Sequence, residues 1–501
     1  MLLTPTDERA ASQNGHATTE LASVDLHAAA EPIDDALVEA AIDAHLTDTV
    51  PTLERLWSYY RNELGSGSGR AHASGPHAAT LPQAAGLPAR LRGEHTVAFD
   101  DRWTGRREVV IENDIAWRVH TMIDFVFGKP VRIRSIARDD EARERIEAVI
   151  DAVWEASGGV SLLQDAALLA HVFGSVEFVV RPDPLALAAL AAEIDAGVSP
   201  GDIAQAIGEA IRIEVVDPRT GVPIIDAAGR MAGFAIHTEH VSSAGERSST
   251  TEVLCPGLRR VLRDGEVVIE AEDAVFGSTL PVVHVQNLSQ PMRYAGLSEV
   301  EPLVPLQDEL NARLSDRARR VTMQSFRMWL AKGIENFEAS QVGPGVVWST
   351  DNPDASIDSF GGDAASPSEA AHIAEVREAM DKASTVPPLA TGVVQGRIGN
   401  LSSAQALRVT LVGLLAKTAR KRVTYGRGIA EVSRLVLQAL SVTGVMPTPM
   451  RDRMVRLDWP DPLPEDLLDQ TLAAQRLVSL GVSPEQMRDE LGYEPTDAGV
   501  Q

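Results

Sequence analysis

The sequence predicts an α+β protein, and three observations carry that reading. Helical patterns, with apolar residues at spacings of three and four, occupy both ends of the chain. Between them, about 211–287, short runs alternate apolar and polar residues between turn signals, the strongest being Asp264-Gly265. The longest helical pattern, about 402–440, is fed by a stretch with no period at all.

Taken in order, residues 1–34 are polar, rich in Ala, Ser and Thr and aperiodic, which predicts a disordered tail. Helical pattern runs from near Ile33 to about Asn62. Gly65-Ser66-Gly67-Ser68-Gly69 and the Pro/Ala/His tract to Arg92 read as a linker or long loop. A phosphate-binding loop would need Gly-Lys-Ser/Thr opening a helix, and that tripeptide is absent from the chain. Strands are expected at 108–111 and 131–136. They flank a helix capped by Asn113 or Asp114, striped by Ile115, Val119, Met122, Ile123 and Val126, and stopped by Gly128 and Pro130. Helices at 140–156 and 161–173, a strand at 176–180 and an alanine-rich helical stretch at 184–210 follow. Strands at 211–216, 223–226, 233–240, 251–254, 258–263, 266–270 and 281–287 complete a largely antiparallel α+β unit.

A second helical run starts at about Ser298, with Leu303, Leu306, Leu310, Leu314, Val321 and Leu330 on its stripe and Arg313, Arg317, Arg319, Arg320 and Arg327 among its polar positions. A small β-rich stretch, 334–362, and a helix at 368–383 give a rod carrying a knob at one end. Pro387-Pro388 stops that helix. Three glycines then make 392–400 flexible, while Val393 and Val394 within it imply a neighbour lying against the loop. Ser402 and Gln405 fit a capping box before the stripe Leu407, Leu411, Leu414, Leu415, Ile429, Val432, Val436 and Leu440. One helix over 402–440 would span about 58 Å, with a kink expected at Gly426 to Gly428. Helices at 465–480 and 483–491 close the chain.

Composition narrows the function. Forty-six Lys and Arg against 71 Asp and Glu give a formal charge of −25, which argues against tight, general DNA binding. One cysteine, Cys255, excludes an intramolecular disulfide and a multi-cysteine zinc site. The N-terminus lacks a leader pattern and no run of 18 apolar residues occurs, so the expected product is cytosolic, neither secreted nor membrane-spanning. His237 and His240 face opposite ways in a strand and read as solvated residues rather than metal ligands. No HExxH, GxSxG or GxGxxG motif is present. The basic run Lys417, Arg420, Lys421, Arg422 and Arg427 spreads round a helix and reads as pairing with acidic neighbours. No catalytic residue, metal or cofactor is expected. The residues alone leave open a conduit, a non-enzymatic adaptor or scaffold, and an enzyme whose site carries no motif.

Three passages resemble the portal proteins of tailed bacteriophages, in particular the siphophage branch from Gram-positive hosts. They are Glu112-Asn113-Asp114-Ile115 through Phe127-Gly128-Lys129-Pro130-Val131, Pro281-Val282-Val283 through Gly296-Leu297-Ser298-Glu299-Val300 to Leu306-Gln307-Asp308-Glu309-Leu310-Asn311, and Val386-Pro387-Pro388 through Leu401-Ser402-Ser403-Ala404-Gln405-Ala406-Leu407. The resemblance implies a portal-type subunit with an α/β wing, a two-helix stem, a small α/β clip, a long kinked helix and a helical crown. On it, 35–297 is the wing, with insertions near 65–92 and 184–210. Residues 298–333 and 368–384 are stem helices, 334–367 the clip, 385–445 the tunnel loop and long wing helix, and 446–501 the crown. The tunnel loop would set Val393, Val394, Gln395, Arg397 and Asn400 against DNA, and Phe337, Trp348 and Phe360 would serve partner binding on the clip. The implied assembly is a ring, usually of twelve subunits, at a capsid vertex. Double-stranded DNA passes through it without sequence-specific binding. The implied partners are the terminase large subunit, the capsid or scaffolding protein and a head-tail adaptor, with no membrane; the implied location is the virion, after assembly in host cytoplasm. Twelve chains of −25 would carry about −300, and an acidic channel offers a polyanion little to grip.

Overall fold

The computed structural model describes residues 33–63, 81–91, 109–226, 229–243, 245–325, 328–333, 351–360, 366–391, 404–463, 475–479, 481–483 and 487. The expected tail through residue 32, the loop 392–400 and most of the terminal helices lie outside the described residues.

The chain enters through α1 (Asp35–Ala44), whose first turn is capped by the Asp34 carboxylate accepting from Ala36 N at 3.1 Å. A single π-type stretch, His45–Thr49, joins it to α2 (Val50–Arg61), and Asn62 ends the run in the left-handed region at φ 46°. Helix α3 (Ala116–Phe127) is capped as expected, Asn113 Oδ1 accepting from the amides of Ile115 and Ala116. Strand β1 (Arg132–Ser135), α4 (Asp140–Ala156), α5 (Gly159–Phe173) and β2 (Ser175–Pro182) follow. The alanine-rich stretch is two helices, α6 (Pro184–Asp195) and α7 (Ala204–Ala210).

Two antiparallel sheets come next. Strands β2, β3 (Ile211–Val216) and β9 (Val282–Gln286) pair in the order β3-β2-β9. Strands β4 (Gly221–Ile225), β5 (Met231–Val241), β6 (Arg247–Cys255), β7 (Leu258–Arg263) and β8 (Glu266–Glu272) form a meander in chain order. The β7–β8 turn places Asp264 at φ 52° and Gly265 at φ 83°, the two positive values a type I′ turn demands. One face of the meander, Val222, Ile224, Ala235 and Val253, takes Val38 of α1. The other packs Phe234 and Leu254 on Val179, Val216 and Val282 of the smaller sheet. The largest core joins α3, α4, α5 and the small sheet to α11 (Val412–Val442).

A 3₁₀ turn, Glu301–Leu303, leads into α8 (Val304–Ser325). Strands β10 (Met328–Lys332) and β11 (Ser356–Phe360) pair with each other, and α9 (Pro367–Ser384) returns alongside α8 through Arg320 to Glu369 and His372 to Glu309. This is the rod with a knob. Leu330, assigned by periodicity to the helix, lies in β10, so the helix is shorter than expected.

Four further differences have physical causes. The tract expected as linker to Arg92 is, over 81–91, packed structure. Leu87 and Leu91 are buried with Ala312 of α8, and Gln83 is fully buried and hydrogen-bonded. Residues 109–111 are not a strand, because side chains of α8 rather than a neighbouring strand satisfy their backbone. The long helix breaks at Leu411, between α10 (Ala404–Thr410) and α11, and runs unbroken through Gly426 and Gly428. A Cβ on Gly428 would lie 2.3 Å from Val285 Cγ2, so the glycine lets β9 approach the helix. Finally β12 (Val455–Asp458), unforeseen in the sequence, pairs antiparallel with β1 and brings Trp459 against Phe127.

The two glycines should therefore behave differently. Gly428→Ala is expected to destabilise by about 1–3 kcal/mol through overpacking on Val285. Gly426→Ala has Trp459 3.6 Å away and should be neutral, or stabilising by up to about 1 kcal/mol from helix propensity. Denaturant melts check both; equal destabilisation would restore the hinge reading.

Candidate functional site where the helix pair meets the body

Helix α8 begins at a heavily fastened point. Ser298 Oγ accepts from the amides of Val300 and Glu301 at 3.0 and 3.2 Å and donates to Val172 O at 2.6 Å. Glu299 N donates to His171 O at 2.8 Å. The entrance of α8 is thus bonded to the end of α5, and the Glu299 side chain, 2 % exposed, turns into the core.

There it meets two lysines one turn apart on α11. Lys417 Nζ lies 2.6 Å from Glu299 Oε2 and Lys421 Nζ 2.8 Å from Oε1. Lys417 also donates to Ser384 O, the last turn of α9, at 2.8 Å. One carboxylate therefore ties the start of α8, the end of α9 and the first third of α11 together. His171 and Tyr425 complete the shell: Nδ1 of His171 donates to Ala167 O at 2.6 Å, and Tyr425 Oη donates to Asn287 Oδ1 at 3.3 Å.

The electrostatics follow from one anion between two cations out of water. Burial alone would raise the Glu299 carboxyl, but Lys421 and Lys417 outweigh it and hold it at about 2. At Lys421 burial wins over Glu299 and the ammonium falls to about 8. Burial, reinforced by Lys421, keeps His171 well below its usual value, so its ring is neutral. Tyr425 is pushed well up by burial and stays a phenol. This arrangement holds helices; it offers no nucleophile open to a substrate.

A second fastening runs up α8. Gln307, Asn311 and Ser315, all fully buried at a spacing of four, act as the strand partner that 109–114 lacks. Gln307 Oε1 accepts from Asp114 N at 3.0 Å and its Nε2 donates to Glu112 O at 2.6 Å. Asn311 Oδ1 accepts from Glu112 N at 3.0 Å, and Ser315 Oγ from Val110 N at 2.9 Å. On α9, Asp381 takes the buried Arg118 at 2.5 Å, and Arg377 reaches Glu112 at 2.6 Å. The three passages that carry the resemblance converge here: Glu112 to Ile115 on Gln307 and Asn311, Ser298-Glu299 on α11, and Val386, fully buried, on Met122 and Leu414.

Of the residues singled out in the sequence, Val393, Val394, Gln395, Arg397 and Asn400, with Phe337 and Trp348, lie outside the described residues. Phe360 ends β11 opposite Met328. In the basic run, Lys417 and Lys421 pair with acid as expected, while Arg422 donates to Pro460 O and stacks on Trp459, and Arg420 and Arg427 face outward. Sequence reading passed over Glu299. The available signal was that two of very few lysines share the apolar face of Leu414 and Tyr425. Among the described residues no cluster could hold a metal, and no helix is long and apolar enough to cross a membrane.

A helix pair with a small sheet at its tip, rooted in an α+β body, is the architecture of a phage portal subunit. The family model "Phage portal protein, SPP1 Gp6-like" matches residues 39–489, and the chain belongs to that family. Its function is accordingly that of a portal, a ring at the capsid vertex. A comparison with curated proteins gives no match. Similar solved structures include chains of a "Virion of native gene transfer agent (GTA) particle", at 14 % identity over 76 % of this chain and 89 % of that one with TM-score 0.42. Another is the "Neck of empty GTA particle computed with C6 symmetry", at 15 % over 76 % and 91 % with TM-score 0.44.

Removing the anion should cost most. Glu299→Gln leaves two buried ammonium groups without a counter-ion and is expected to destabilise by about 3–5 kcal/mol at pH 7. Glu299's own contribution is present above its unfolded value, near 4.5, and is lost as pH falls toward 2. In Glu299→Gln, Lys421 loses the carboxylate that helps it hold its proton, so the deficit should instead shrink as pH rises toward 8. Lys421→Met, which still leaves Lys417 on Glu299, should change stability by about 1 kcal/mol or less. Denaturant melts across pH decide it; a Glu299→Gln deficit that grows as pH rises toward 8 contradicts the assignment.

Proposed function

We propose that the chain is the subunit of a portal ring, of twelve copies, through which duplex DNA is packaged and ejected. The observation that carries this reading is the rooted excursion α8, β10–β11, α9. A rod with a compact tip, clamped by the buried Glu299 cluster, suits a passage wall that must keep its bore while a polymer moves through it.

In this reading 35–297 is the wing, 298–333 and 368–384 are the stem and 334–367 is the clip. Residues 385–445 are the tunnel loop and long wing helix, and 446–501 the crown. Val393, Val394, Gln395, Arg397 and Asn400 approach the DNA, and the clip, with Phe337, Trp348 and Phe360, receives the terminase large subunit and later a head-tail adaptor. Capsid or scaffolding protein holds the wing, and assembly takes place in host cytoplasm. The formal charge of −25 per chain supports passage without grip, since counter-ion release at a protein surface requires cations to replace those ions. The ring does no chemistry of its own; hydrolysis that drives DNA inward belongs to the docked terminase. The other reading, a non-enzymatic adaptor or scaffold of a phage-like particle, predicts open oligomers instead.

Negative-stain images of the purified chain should show rings with a central channel wide enough for duplex DNA. Deleting 393–399 should leave those rings intact and abolish packaging in an assembly assay. Monomers or open oligomers in the unaltered protein would favour the adaptor, and loss of the ring on deletion would make the loop part of the core.

A further inference from the structure

Two faces of this chain are apolar, exposed and oppositely charged. On α11, Val412, Ala416, Ala419 and Val423 recur at spacings of four, three and four and so share one face. Among the described residues nothing covers this face: Val412 and Val423 are 64 % and 63 % exposed, and Ala416 and Ala419 are exposed too. Arg420 and Arg427 flank it. The opposite side of the same helix is core, from Leu414 through Tyr425 to Val436.

The second face is β8. Among the described residues it is an edge strand, paired with β7 alone, and all seven of its residues are exposed. Val267, Val268 and Ile269, at 46, 54 and 46 % exposure, follow one another along this edge, distributed over both faces of the strand, with Glu266 before them in the chain and Glu270 and Glu272 after. Single exposed valines are ordinary, but an open strand edge with exposed apolar side chains on both faces is a surface a protein normally covers.

The two faces complement each other. Among the described residues neither arginine and none of the three glutamates is in an ion pair within the chain. Seven strand residues extend about 23 Å at 3.3 Å each, and Val412 to Arg427 extends about 22 Å along the helix axis. We infer that the Val412–Val423 face of α11 in one copy covers the β8 edge of the next copy, with Arg420 and Arg427 set among Glu266, Glu270 and Glu272. Because the two faces are different parts of one chain, the contact is head-to-tail and repeats from copy to copy. Its closure into a ring rests on the portal reading; the pairing of the two faces does not.

Full-length Val268→Cys/Val423→Cys protein, oxidised after assembly, tests it. The expected result is a ladder of cross-linked species on a reducing-agent-free gel, with no ladder from either single variant; the native Cys255 is 2 % exposed and stays out of reach. Arg420→Glu/Arg427→Glu should cut assembly about tenfold at low salt, and adding Glu266→Arg/Glu270→Arg should restore it. Melting curves matching the unaltered protein confirm that these surface variants fold. Complete rings without cross-links, or a charge-reversed variant that assembles normally, overturn the inference and leave the portal reading standing. A ladder of open oligomers supports the inference and overturns the ring. Neither rings nor ladder overturns both.

Discussion

The fold hangs on one carboxylate. Glu299 sits where the body ends and α8 begins, and its two oxygens meet ammonium groups from successive turns of α11. A buried charge of this kind is costly unless matched, so α8 can leave the body only in the orientation that brings Glu299 to its lysines. Lys417 extends the same demand to the end of α9 through Ser384 O. A hydrophobic contact of equal size would tolerate sliding; this one does not. Burial lowers Lys421 despite its carboxylate partner, so the cluster fixes position at a cost in stability.

The ladder Gln307, Asn311 and Ser315 works to the same end by hydrogen bonding. Each side chain satisfies backbone groups of 110–114 that would otherwise be orphaned, so α8 and the first segment of the body are set in one register. Arg118 to Asp381 and Arg377 to Glu112 add the second helix. The helix pair is thereby held along its inner length as well as at its root, and among the described residues beyond α8 strand β10 pairs with β11.

Local periodicity and turn chemistry made most elements legible. The ends of α4 and of β3 and β7 match the pattern, and Asp264-Gly265 specified its turn by backbone conformation alone. What the sequence hid was long-range. Gln307, Asn311 and Ser315 look like a polar helix face until 109–114 lies on them, and Lys417 finds Glu299 118 positions away. Gly426 and Gly428 suggested flexibility, whereas the helix runs through both and the small size of Gly428 answers to Val285, which no local rule reveals. The tract around Leu87 and Leu91 has linker composition, yet its leucines pack against Ala312 of α8 and Val109. Strand β12 is four residues long and pairs with a segment more than 300 positions earlier, beyond any local signal.

A cryo-electron microscopy map of the assembled particle, at side-chain resolution, tests the central claim most directly. The account predicts a closed ring in which α8 and α9 of every copy line the central passage, with Lys417 and Lys421 on Glu299 at the root of each pair. Helix pairs that point away from the ring axis, or a Glu299 turned out of its lysine cluster in the assembled state, would contradict it.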